Sequence, residues 1–109
     1  MDDLFLKIIN KEIPANIIFE DEDILAFEDI NPQAPTHILI IPKKHIAKLS
    51  DADISDQKLL GHMLIKANEI AASLKLDNTF RLVINNGANA GQSVFLSLIH
   101  ISEPTRRYF

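Results

Sequence analysis

The sequence predicts one α+β domain built on a mainly antiparallel sheet. Two observations carry this. Short apolar runs rich in β-branched residues recur between compact polar turns, whereas one longer stretch, residues 53–76, repeats its apolar residues every three to four positions. In chain order the elements read α-β-β-β-α-β-β, and hairpin-length connections join antiparallel rather than parallel strands.

Each element has its own warrant. Asp2 or Asp3 can cap a short first helix, in which Leu4, Phe5, Ile8 and Ile9 stand at helical spacing and which Pro14 is expected to stop. Residues 16–20 (NIIFE) and 24–28 (ILAFE) flank an acidic turn and read as a β-hairpin. Residues 31–35 (NPQAP) form a rigid connector, because two prolines and an Asn-Pro step exclude regular structure. Residues 36–41 (THILII) are a third strand ended by Pro42; the run does not alternate, which predicts burial on both faces and a central place. Residues 43–49 are a polar turn or short helix.

The long helix follows, capped by Asp53 or Ser55. Leu59, Leu60, Met63, Leu64, Ala67, Ile70, Ala71 and Leu74 make its apolar stripe, with Gln57, Lys58, Lys66, Asn68, Glu69 and Lys75 opposite. Residues 80–85 and 93–101 complete the set as a fourth and a fifth strand.

Bulk properties narrow the function. The chain has 109 residues, 47% of them hydrophobic and 24% charged, as in an ordinary globular domain. A chain of this size buries roughly 60–70% of its unfolded surface, enough for a core without staples. It has no cysteine, which removes disulfides, thiolate chemistry and Cys-zinc sites. The net charge of −4, with no basic stripe, speaks against a nucleic-acid partner but not against a small anionic ligand, which a few local amides can hold. No apolar run approaches the ~20 residues of a membrane span, and the acidic N-terminus does not read as a signal peptide. The expected location is the cytoplasm, with no membrane partner.

The residues with chemical potential cluster late in the chain. Asn85, Gly87, Asn89, Gly91, Gln92 and Ser93 form a polar loop between two apolar strands. Successive N–H groups in such a loop can cradle an anion, although Asn-Gly steps are also ordinary hairpin chemistry. Asp29, at a strand end, can accept both hydroxyls of a ribose; an Asx-turn is the plainer account of it. Of the four histidines, His37 opens the buried strand, His45 follows Pro42-Lys43-Lys44, His62 lies beside the helical stripe and His100 is on the last strand. No pair has the close spacing of a zinc motif, and the sequence calls for no cofactor. Lys43 and Lys44 can steer a phosphate or simply be solvated.

Read together, several segments resemble a known family. FLKII (5–9), EIPA (12–15), FED (19–21), DINPQAPTH (29–37), IPKKH (41–45) and GQSVF (91–95) are similar, in order and almost without gaps, to the histidine-triad (HIT) superfamily, and within it to the Hint branch of purine nucleoside phosphoramidases. The resemblance implies a five-stranded antiparallel sheet with two helices, and a homodimer paired through the long helix and its neighbouring strand. It also implies hydrolysis of nucleoside 5′-phosphoramidates at the α-phosphate, releasing an amine and AMP or GMP. Carried over by match, Leu4, Phe5, Ile8, Ile13, Phe27 and Ile30 line the purine pocket and Asp29 holds the ribose. Asn85, Gly91, Gln92, Ser93 and Val94 surround the phosphate, and His37 supports the catalytic histidine.

The resemblance breaks after Phe95. There the family has His-x-His-x-His, whose middle imidazole attacks phosphorus and forms a nucleotidyl-enzyme intermediate. This chain has Leu96, Leu98 and His100 at those places. Leu98, at the nucleophile position, has no lone pair, so the chain is expected to be inactive in the family reaction. A catalytically dead nucleotide-binding module is the alternative reading. Residues 96–106, LSLIHISEPTR, also resemble the in-frame translation of a transposase adapter used in preparing sequencing libraries. The expectation is a HIT domain over residues 1–95, its last strand continuing to about 101, and a tail over 102–109 foreign to the family.

Overall fold

The computed structural model describes residues 4–28, 37–46, 48–75, 79–84, 86–87 and 99–102, with the backbone alone at 4–6 and 99–102. It begins with α1 (Leu4–Ile9). The sequence predicts that Pro14 stops this helix, but the stop comes earlier. Lys11 takes a left-handed φ of 63°, its N–H donating to the Ile8 carbonyl at 3.1 Å and the Glu12 N–H to the Lys7 carbonyl at 2.8 Å. This pair of reverse bonds satisfies the last helical carbonyls and turns the chain before the proline is reached.

A hairpin follows, β1 (Ile17–Glu20) and β2 (Ile24–Glu28). Asp21 closes it with its side chain: Oδ1 accepts from the N–H groups of Asp23 at 2.8 Å and Ile24 at 2.9 Å. The register shifts between Ile17 and Phe19, a bulge on the outer strand. β3 (His37–Pro42) pairs antiparallel with β2 from Ile24 opposite Pro42 to Glu28 opposite Ile38. Two short strands, β4 (Arg81–Val83) and β5 (Ile99–Ser102), extend the sheet, which runs β1-β2-β3-β5-β4 with every neighbouring pair antiparallel. β4 is shorter than the expected 80–85. Of the expected strand 93–101, residues 93–98 lie outside the described residues.

The helical stretch divides into two. Asp53 caps a single 3₁₀ turn (Ile54–Asp56) through a reciprocal capping box with Asp56, and α2 (Gln57–Ser73) continues from it. Lys75, with φ 59°, ends the helix as Lys11 ends α1.

β2 and β3 are buried on both faces, and alternation divides their side chains between two cores. Ile24, Ala26, Ile38 and Ile40 pack with Met63, Ala67, Ile70 and Ala71 of α2. Leu25, Phe27, Leu39 and Ile41 pack with Ile8 of α1 on the other side. Burying one such large side chain is worth about 1.5–3 kcal/mol, against about 0–1 kcal/mol for an exposed ion pair, so these two layers set the architecture. Polar ties then fix α2. Lys66 Nζ stands 4.3 Å from the centre of the Phe19 ring, and His62 Nε2 is 2.7 Å from Asp21 Oδ2. One stripe residue is corrected: Leu64 is 46% exposed, and Ile65 beside it 62%.

Candidate functional site

α1, β2 and β3 bring together three of the residues assigned to the purine pocket. Ile8 projects from α1 onto Leu25, Phe27, Leu39 and Ile41, and Ile13, on the chain returning from α1, packs against the same cluster. Ile8 and Phe27 are buried, whereas Ile9, Ile13 and Ala15 are partly exposed and form its accessible margin. Leu4 and Phe5 belong to α1 by their backbone. An aliphatic cluster holding one aromatic ring suits a flat apolar heterocycle.

His37 marks the polar end of this face. It opens β3, shares strand parity with Leu39 and Ile41, and is buried, with 7% of its surface exposed. Its register partner on β5 is Ser102. The backbone of His100 pairs with Leu39 on one side and Val83 on the other, so β5 places this position between β3 and β4. Asp29, Ile30, Asn85, Gly91, Gln92, Ser93, Val94, Leu96 and Leu98 lie outside the described residues. His45 is exposed, and His62 belongs to the α2 tie rather than to this face.

Three polar ties around the site had no signal in the sequence. Glu20 accepts from Lys11 at 2.6 Å through Oε1 and from Lys43 at 2.7 Å through Oε2, joining the end of α1 to the hairpin and to the end of β3. These hydrogen bonds hold its carboxyl below the ordinary value. Lys44 bonds the carboxylate of Asp56, which is thereby also held low, aided by the Asp53 N–H. Lys43 and Lys44 are thus engaged within the fold. Third, the Ser50 N–H donates to Asn86 Oδ1 at 2.7 Å, next to Gly87 with its φ of 87°. Partners 9 to 36 positions apart in sequence leave no local pattern to read.

Comparison with known proteins agrees with this architecture. The family model described as HIT domain matches residues 10–102, running past Phe95. An uncharacterized HIT-like protein of Synechocystis sp. is 57% identical over 100 residues, which is 92% of this chain and 88% of that protein. Among solved structures, a HIT family hydrolase from Legionella pneumophila is 47% identical with a TM-score of 0.90, covering 94% of this chain and 93% of that one. A histidine triad protein from Clostridium difficile is 37% identical with a TM-score of 0.88, covering 97% and 96%. On its sequence match and its fold alike, the chain belongs to the HIT domain family.

Proposed function

We propose that this chain binds purine nucleotides in the manner of the Hint branch, and that as written it does not turn over the branch's substrates. The observation that carries the reading is the apolar cluster of Ile8, Ile13 and Phe27 on the sheet face to which buried His37 belongs. In this reading the cluster, with Leu4, Phe5 and Ile30, takes the base and Asp29 takes the ribose. Asn85, Gly91, Gln92, Ser93 and Val94 surround the phosphate. His37 holds the neighbouring histidine position in register.

The family reaction needs an imidazole that attacks phosphorus, breaks the P–N bond and is released from the nucleotidyl adduct by water. Leu98 supplies none of these steps, and His100 stands at the third histidine place only. Incubation with an adenosine 5′-phosphoramidate should yield no AMP; turnover abolished by Asp29→Ala would overturn the proposed loss of catalysis. Titration with AMP tests the binding half, and no saturable binding at millimolar ligand would refute it. Residues 96–109 are read here as adapter-derived, and a clean gene sequence still encoding LSLIHISEPTR would sink that part.

A homodimer belongs to the same proposal. Leu64 and Ile65 on α2 and Leu82 and Ile84 at β4 leave apolar surface exposed on the helix and strand that pair in the branch. Sedimentation at two concentrations tests it, a monomer throughout being the adverse result. A cytoplasmic location fits the absence of cysteine in the sequence; among the described residues, no helix is long and apolar enough to cross a membrane.

A further inference from the structure

We infer that Glu20 is a positioning residue for the base end of the site, its carboxylate clamping the segment that returns from α1, and with it Ile13, onto the sheet. The inference rests on the nucleotide reading above and adds a residue that the resemblance does not assign to the site.

The sheet face that carries the base cluster has two polar ends. His37 stands at one. At the other, Lys43 follows β3 with the strand parity of Leu39 and Ile41, its N–H donating to the Asp23 carbonyl at 2.8 Å. Glu20 lies on this face too, because its register partner is Leu25, a member of the α1-side cluster, and opposite residues of an antiparallel pair project to the same side. From His37 to Lys43 the chain spans roughly 20 Å at ~3.3 Å per residue. Glu20 therefore acts at the end of the face away from His37.

The clamp uses both oxygens of one carboxylate. Oε2 takes the Lys43 ammonium at 2.7 Å and Oε1 takes that of Lys11 at 2.6 Å. Lys11 is the left-handed residue at which the chain leaves α1. From there the chain runs back to β1 with alternating burial: Ile13 and Ala15 are half-buried against the cluster, whereas Glu12, Pro14 and Asn16 are exposed. The far end of this strap is fastened to the hairpin by main chain and side chain. The Glu28 N–H donates to the Asn16 carbonyl at 3.0 Å, and the Asn16 carboxamide donates to the Glu28 carboxylate. At the near end the backbone bonds of Lys11 and Glu12 run only to α1, so the link to Glu20 is what ties that corner to the sheet.

Ile13 is thus held between two anchors, and Glu20 acts on the base through it. Dispersion contact with a flat ring falls steeply with distance: a gap of about 0.5–1 Å forfeits about a quarter to a half of it. Asp21, the next residue, supplies an internal contrast, since its carboxylate is tied to His62 of α2 on the other face.

The test uses the whole chain. In methyl NMR of the ligand-free protein, Glu20→Gln should move the Ile13 signal and leave that of Ile70, in the α2-side core, in place; an unmoved Ile13 signal overturns the clamp. The Kd for AMP and for adenosine should rise together in Glu20→Gln, by about 1.5- to 5-fold, the scale of one exposed ion pair. Lys11→Met should do the same, and the double variant should be no weaker than the worse single one, because the two share one link. Asp21→Asn should leave both Kd values unchanged. Unaltered Kd values in Glu20→Gln, a loss for AMP alone, additive losses, or an equal loss in Asp21→Asn would overturn the positioning role while leaving the nucleotide reading in place. No saturable AMP binding by the unsubstituted chain refutes that reading, and this inference with it.

Discussion

Replacing Phe27 with alanine tests both the packing and the site. Phe27 is 1% exposed and lies on β2 among Ile8, Leu25, Leu39 and Ile41. The neighbours come from three separate elements, so they cannot all move inward to fill the space. Truncation of a buried phenylalanine costs about 3–5 kcal/mol, the lost transfer energy plus the cavity left behind. Domains of this size have about 5–15 kcal/mol in total, so the variant should lose from about a fifth of its stability to nearly all of it. In urea the midpoint should fall with the slope unchanged, and the melting temperature should drop by roughly 12–25 °C. Ile54→Ala is the control, because Ile54 is 83% exposed and its truncation should stay within about 0.5 kcal/mol. If Phe27→Ala costs no more than Ile54→Ala, the α1-side cluster is not a packed core and cannot form the wall of a base pocket.

Three further outcomes are expected. Partial burial pushes the Asp21 carboxyl up, but hydrogen bonds from His62 and from the Asp23 and Ile24 N–H groups outweigh it and hold it below its ordinary 3.8. A folded value below the unfolded one means stability present above the unfolded value and lost as pH falls through the folded one. Urea midpoints taken downward from neutral pH should therefore fall less steeply in Asp21→Asn, and identical profiles would count against the tie. Lys75→Gly should stabilise by about 0.5–1 kcal/mol by relieving a φ of 59°, whereas Asn68→Gly inside α2 should cost about 0.3 kcal/mol; thermal melts that rank them the other way would reject the left-handed helix stop. Restoring imidazoles with Leu96→His and Leu98→His together should create phosphoramidate turnover where the unsubstituted chain has none, while Leu96→His alone should not, since only Leu98 stands at the nucleophile place.

Much of the fold was legible because its signals are local. HILIIP does not alternate and carries four β-branched or leucine residues in succession, so β3 reads as a strand buried on both sides, and it is. The turn at Asp21 reads as a turn because a carboxylate can close it on nearby N–H groups. What misled was conformational or long-range. Nothing about a lysine announces a φ of 63°, so the stop at Lys11 was invisible and Pro14 took its place in the expectation. Leu64 fits the apolar spacing, yet at ~100° per residue it sits about 80° from the centre of the buried face, far enough round to reach solvent. For the site, Ile8, Ile13 and Phe27 were assigned through the resemblance and are drawn into one cluster. Asp29, Asn85 and residues 91–94 rest on the resemblance alone.

The two faces of the sheet divide the work, and this determines which perturbations are informative. Surface ties to α2, Lys66 over Phe19 and His62 to Asp21, sit on the side of Ile24, Ala26, Ile38 and Ile40. Weakening them should lower stability without reshaping the base pocket, because Phe27 and Leu39 project the other way from the same strands. The tie at Glu20 differs. It holds the exit of α1, which carries Ile8. Its loss should loosen grip on the purine, so AMP and adenosine suffer alike. Glu20→Gln, titrated with both ligands, therefore tests the base end of the site without touching a residue assigned to contact the nucleotide. A loss for AMP alone would mean that the base does not sit on the α1 side of the sheet as this geometry requires.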